Sequence, residues 1–192
     1  GPALILRGRV TLSSVAVSAS THHGIVAYDG SNTADPVAWT NIDVSNSAGR
    51  GIYLGGSYCS DGCTFDSVTA AHHMGEGMRL DDTPTFSAAI TFDRCSFAEN
   101  GVYYRLHGTS TGVFGTGLVL RRVRADSVSI TATSFRGNAG DGLYTERASV
   151  TVASCTFANN GDSSSEAGWV VDDLETGRYA RVYDSIFTGN AG

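Results

Sequence analysis

Val128-Ser-Ile-Thr-Ala-Thr-Ser-Phe-Arg-Gly-Asn138 is echoed by Val150-Thr-Val-Ala-Ser-Cys-Thr-Phe-Ala-Asn-Asn160, with the apolar positions in the same places. The shared template is apolar, any, apolar, two residues, small or apolar, any, apolar, two residues, polar. It recurs seven times, with its second apolar position at Leu12, Trp39, Phe65, Phe92, Ile130, Val152 and Val182. Five residues on stand Val17, Val44, Ala70, Phe97, Phe135, Phe157 and Phe187. Three beyond lies a polar column of Ser20, Ser47, His73, Asn100, Asn138, Asn160 and Asn190. Successive repeats are 27, 26, 27, 38, 22 and 30 residues apart. A period of this length marks a solenoid, in which each unit buries its apolar side only against its neighbours.

Within each unit the apolar residues alternate with polar ones, the period of a β-strand. A second alternating stretch follows the polar column behind a glycine, as in Gly51-Ile52, Gly77-Met78, Gly117-Leu118 and Gly142-Leu143. No segment carries a period of 3.6, so βαβ units are disfavoured. Strands repeating in one direction at this spacing stack in parallel, coil on coil. The aligned asparagines then hydrogen-bond along the axis, and the aligned phenylalanines stack inside. Both ladders read as structural rather than catalytic.

These residues resemble a right-handed parallel β-helix of the pectin-lyase-like superfamily. The resemblance covers residues 10 to 192 and implies an all-β solenoid of about six to seven coils, with an insertion in the fourth. Phe97-Ala-Glu-Asn100, Phe135-Arg-Gly-Asn138, Phe157-Ala-Asn-Asn160 and Phe187-Thr-Gly-Asn190 are similar to the Phe-x-x-Asn repeat of polymorphic outer-membrane autotransporter passengers. The chain departs from the Gly-Gly-Ala-Ile motif of those passengers, carrying Gly-Arg-Gly-Ile, Gly-Glu-Gly-Met and Gly-Asp-Gly-Leu. Superfamily members include polysaccharide lyases, glycoside hydrolases, tailspikes and adhesins, so the fold leaves the function open.

Bulk properties narrow the field. The 192 residues fit one domain, expected to span 1–192, with 24 Gly and only 3 Pro. Gly1-Pro2 reads as a protease-cleavage scar, so a segment of a larger protein is expected. All 13 basic residues are Arg, and the net charge of −6 argues against a nucleic-acid partner. No apolar run reaches membrane-spanning length. Of four cysteines, Cys95 and Cys155 fall two coils apart in one inward column, about 10 Å on the strand spacing, too far to bond. Cys59 and Cys63 flank Ser-Asp-Gly. Three buried thiols and one turn thiol is the preferred reading, with a Cys59–Cys63 disulfide as the alternative.

Candidate chemistry sits where the repeat is broken and on the outward side of the second strand. The long fourth interval carries Tyr103, Tyr104, Arg105 and His107, whose rings and planar donors suit sugar recognition. The outward columns are Val26, Tyr53, Arg79, Val119, Tyr144, Val170 and then Tyr28, Gly55, Asp81, Arg121, Glu146, Asp172. Asp29 and Asp81-Asp82 flank Gly55-Gly56, a notch with carboxylates about 10 Å apart, the upper end of an inverting glycosidase pair. Asp29, Asp81 and Asp82 are thus the catalytic candidates. Tyr53, Arg79, Arg121 and the four loop residues are the ligand-binding ones, with Arg79, Arg121 and Arg122 suited to an anionic sugar or to a lyase base. No cofactor or metal site is expected, since adjacent His22-His23 and His72-His73 point to opposite faces. Calcium on Asp81, Asp82 or Asp172-Asp173 is the alternative that hard oxygen ligands offer. The expected function is an extracellular or cell-surface β-helix module, adhesive, passenger or structural, binding polysaccharide or a neighbouring cell surface on its lateral face. Adjoining β-helix coils of the same or a partner chain are expected as a further partner, and a polysaccharide lyase or glycoside hydrolase, or an end-to-end assembly subunit, are the alternatives.

Overall fold

The computed structural model describes residues 1–28, 36–56, 58, 59, 61–83, 89–101, 115–123, 127–162 and 166–191. Among these the first coils are built from β1 (Leu4–Arg7), β2 (Leu12–Ser18), β3 (Ile25–Tyr28), β4 (Val37–Ser45), β5 (Ile52–Gly55), β6 (Cys63–Ala71) and β7 (Met78–Thr83). Then follow β8 (Ala89–Asp93), β9 (Ser96–Ala98), β10 (Leu118–Val123), β11 (Ser127–Thr131), β12 (Ser134–Arg136) and β13 (Leu143–Glu146). The last are β14 (Val150–Ala153), β15 (Thr156–Ala158), β16 (Trp169–Asp172), β17 (Ala180–Tyr183) and β18 (Ile186–Thr188). They form two sheets, and every pairing in both is parallel. One runs β1-β3-β5-β7-β10-β13-β16; the other holds the remaining strands, with β6 pairing both β8 and β9.

The observed register is the one the repeat dictates. Phe65 pairs with Phe92, Phe92 with Ile130, and Phe97 with Phe135. Inward side chains fill a single core in which Trp39, Phe65, Phe92, Phe97, Phe135 and Phe157 are fully buried. Phe135, Phe157 and Phe187 stack with centroids 4.6 and 4.4 Å apart and planes within 7° of parallel. Beside them Asn100 Nδ2 donates to Asn138 Oδ1 at 2.9 Å, Asn138 to Asn160 at 2.8 Å and Asn160 to Asn190 at 2.9 Å. The second Nδ2 hydrogen of Asn138 goes to the carbonyl of Phe97, and the backbone N–H of Asn138 goes to Asn160 Oδ1. Each rung thereby satisfies buried backbone groups that a corner leaves without ladder partners.

Each two-residue gap in the template is a corner. Ser14, Asn41, Ser67, Arg94, Ala132, Ser154 and Asp184, in the first gap, all have φ between 46° and 59°. Ala19, Asn46, His72, Glu99 and Asn159, in the second, have φ between 54° and 59°. One left-handed residue turns the chain, and the alternation restarts in phase with the core beyond it. A third corner, on the β1–β16 sheet, holds Gly56, Arg147 and Asp173 just after their strands, and Arg122 next to the end of β10, in the same conformation.

The glycines behind the polar column are required for a different reason. A Cβ on Gly142 would lie 2.5 Å from the Gly168 carbonyl and 3.0 Å from Asn160 Nδ2; on Gly117 it would lie 2.6 Å from the Gly142 carbonyl. The next coil's carbonyl, and behind it the ladder amide, occupy the space a side chain needs.

The cysteine reading needs one correction. Cys59 and Cys63 are disulfide-bonded, because the turn between them brings their Cα atoms to 5.2 Å. Cys95 and Cys155 are free and buried, as the column predicts. Burial pushes the Cys95 thiol up to about 12.

Candidate functional site

The β1–β16 sheet places Tyr53 beside Arg79, and Tyr28 beside Gly55, on neighbouring strands. Alternation turns Arg79 and Asp81 to the same outward side of β7, where Arg79 Nε donates to Asp81 Oδ2 at 2.8 Å. On the other side Arg79 Nη1 donates to Glu76 Oε1 at 3.1 Å. Glu76 also has Arg50 Nε 2.8 Å from its Oε2, a charge pair whose N–H is not aimed along a hydrogen bond. The Glu76 side chain is only 2% exposed, and two guanidinium groups offset the cost of burying its charge. Burial opposes the Arg79 charge, but Asp81 and Glu76 outweigh it, so its pKa stands above the usual arginine value.

An aromatic ledge adjoins this network. Tyr28, 48% exposed, meets Tyr53 edge-on with centroids 6.0 Å apart, and the Arg50 guanidinium lies 5.5 Å from the Tyr53 centroid. The Tyr53 ring leans over Gly55, where a Cβ would come within 3.1 Å of it. The ring thus covers Gly55, while Gly56 opens onto solvent at φ +66°. Burial, then the Asp81 charge, raises the Tyr53 pKa, so the hydroxyl stays protonated and able to donate. The second carboxylate oxygen of Asp81, Oδ1, is buried without a hydrogen-bond partner among the described residues.

Of the residues singled out from sequence, Tyr53, Arg79 and Asp81 come together. Arg121 neighbours Asp81 in register but donates to Glu146 Oε2 at 2.7 Å, away from the notch. Asp82 is placed only by its position in β7. Asp29, Tyr103, Tyr104, Arg105 and His107 lie outside the described residues. Arg50 and Glu76 were not singled out. Their signal is legible: Gly49-Arg-Gly51 and Gly75-Glu-Gly77 set opposite charges at one repeat position on adjacent coils. The outward columns also need a correction. Val26 and Val119 face outward yet are 3% and 1% exposed, because alternation sets direction and not what covers a side chain.

Farther along the same face Tyr144 donates to Asp172 at 2.7 Å, and Arg147 pairs with Asp173. Among the described residues no three His, Cys, Asp or Glu side chains are grouped as a metal site requires, and no helix is long and apolar enough to cross a membrane. The face thus offers rings, fixed donors and neutralised carboxylates.

No curated protein and no solved structure matches the chain. The family model of the right-handed β-helix region matches residues 23–192, and the chain belongs to that family.

Proposed function

We propose that this protein is an extracellular or cell-surface β-helix module that binds carbohydrate on the outer face of its first sheet without turning it over. The observation that carries this reading is the Tyr28–Tyr53 pair standing beside the Gly55-Gly56 step and the Arg79–Asp81 pair. A pyranose ring stacks its C–H face on tyrosine and offers hydroxyls to a paired carboxylate and guanidinium. Binding without chemistry is favoured because Glu76, Asp81, Glu146 and Asp173 are each neutralised by an arginine. A general acid instead needs a carboxyl kept neutral by its surroundings. The Cys59–Cys63 bond supports an oxidising compartment. The Phe-x-x-Asn strings that resemble passenger repeats serve the stack and the ladder, so they speak for the fold and not for a surface role.

The test is a glycan array, followed by assays for new reducing or unsaturated ends on every hit. Saturable binding that Tyr28→Ala and Tyr53→Ala each weaken at least tenfold, with no new ends, is the expected result. One observation favours a second reading, hydrolysis: Oδ1 of Asp81 is buried with no hydrogen-bond partner among the described residues. Turnover abolished by Asp81→Asn would establish that reading and displace the first.

A further inference from the structure

His23 precedes Arg50 and Glu76 in one repeat column, each of them the residue before the glycine that leads into β3, β5 or β7. Its Nδ1 accepts the backbone N–H of Arg50 at 3.0 Å. An accepting Nδ1 requires the neutral ring with its hydrogen on Nε2. The Gly49-Arg50 backbone is fitted to this ring: a Cβ on Gly49 would lie 2.7 Å from His23 Nδ1. Arg50 then carries its guanidinium to 2.8 Å from Glu76 and 5.5 Å from the Tyr53 centroid. The His23 ring itself stands 6.5 Å from the Tyr53 ring, tilted by 33°. One imidazole thus sets the backbone of the arginine that neutralises Glu76 and flanks the aromatic ledge.

Protonation undoes this arrangement. A hydrogen on Nδ1 would meet the Arg50 N–H donor to donor, and the new cation would stand beside the Arg50 guanidinium. Burial, and then the Arg50 charge, hold the His23 pKa below its usual 6.5; Glu76 opposes them and His22 adds to them. Tyr53 faces the ring with a hydroxyl that stays protonated. The residues ahead of β1, whose Ala3 N–H donates to the His23 carbonyl, carry no titratable side chain. The neutral ring therefore predominates at pH 6.5 and above, and is lost as pH falls from there. His73 titrates separately, since its ring stays neutral down to about 4.

We propose that His23 is a positioning residue of the Tyr28–Tyr53 ledge, whose neutral ring holds Arg50 and Tyr53 in the binding arrangement and whose protonation releases the bound glycan on mild acidification. The release acts on the carbohydrate-binding face proposed above and rests on that reading. A glycan that binds only the neutral arrangement and the proton on His23 exclude each other, so each weakens the other.

The glycan array, probed at pH 7.5 and at pH 5, tests this. Every glycan bound at pH 7.5 should bind about fivefold more weakly at pH 5. His23→Ala should weaken binding at pH 7.5. His23→Asn should rescue it, because the asparagine Oδ1 can accept from the Arg50 N–H as Nδ1 does. Lacking a titrating ring, His23→Asn should also lose the pH dependence, whereas His22→Asn should keep it. A second readout needs no ligand: hydrogen exchange at the Arg50 amide. Its protection relative to the unfolded chain should fall from pH 7.5 to pH 5 in the wild type and hold in His23→Asn. Affinity that falls equally in His23→Asn, or Arg50 protection indifferent to pH, would overturn the proposal and leave the carbohydrate reading standing. No glycan bound at either pH would overturn that reading and the release with it.

Discussion

His73 Nδ1 accepts the backbone N–H of Ser47 at 3.1 Å while its Nε2–H donates to the carbonyl of Val44 at 3.1 Å. Asn100 does the same one coil later, its Oδ1 accepting from His73 N and its Nδ2 donating to the Ala70 carbonyl. The imidazole is thus an asparagine substitute in the ladder, and only the neutral ring with hydrogen on Nε2 can play that part. Burial holds its pKa down to about 4, with the nearby His72 adding to the effect and the Val44 bond opposing it. Since the folded pKa lies below the unfolded value, the unfolded chain takes up the proton first. The contribution of His73 is intact above pH 6.5 and is lost as pH falls from there toward 4. Over that window it amounts to about 3 kcal/mol. Urea midpoints of wild type and His73→Asn at pH 7.5 and 4.5 check this. Wild type should lose more stability than the variant; equal losses would remove His73 from the account.

Gly142 and Gly56 should respond oppositely to their surroundings. Gly142→Ala drives a methyl against the Gly168 carbonyl and the Asn160 amide, and should cost about 3 kcal/mol or more as overpacking. Gly56→Ala meets open space, and only its φ of +66° resists, at about 1 kcal/mol. Thermal denaturation of the two variants should give a clearly larger drop for Gly142→Ala. If the drops are equal, the Gly column is conformational and the close-approach explanation fails.

The core was legible because inward columns recur with fixed spacing: Phe97, Phe135 and Phe157 align in the sequence as they do in space. The corners were not. Arg94, Ala132 and Ser154 are left-handed without being glycine or asparagine, so the residue that usually announces such a turn is missing. At the site, alternation alone placed Arg79 and Asp81 on one face, since they are two residues apart on one strand. It could not foresee that Glu76 is buried between two arginines. Glu76 lies in the turn ahead of β7, where no period of two applies.

Left-handed alanines are sites for gain. Ala132, with φ 47°, is exposed and takes no benefit from its methyl. Removing the Cβ relieves about 1 kcal/mol of backbone strain, partly offset by the entropy of a freer unfolded chain. Ala132→Gly should therefore raise the urea midpoint modestly, against the usual cost of glycine in a β protein. Ala153→Gly, one residue before the equivalent corner and on a β-strand, should lower it. A fall for Ala132→Gly would mean that the corner is not strained.

The ladder itself predicts the most specific loss. Asn160 donates through Nδ2 to the Phe135 carbonyl at 3.0 Å and to Asn190 Oδ1 at 2.9 Å, and its Oδ1 accepts from Asn138. Asn160→Asp keeps shape and acceptor but replaces the donor with a charged oxygen facing two acceptors in a fully buried site. The cost should be about 3 kcal/mol at neutral pH, from lost bonds and an unpaired buried charge. Protonation of the new carboxyl restores one donor, so the folded state holds its proton more tightly than the unfolded one. The deficit relative to wild type should shrink as pH falls from 7 toward 4. That recovery is opposite in sign to the acid loss at His73, so denaturation of Asn160→Asp in the His73→Asn background isolates it. A deficit independent of pH would mean that the site tolerates the charge, through water or rearrangement of the ladder.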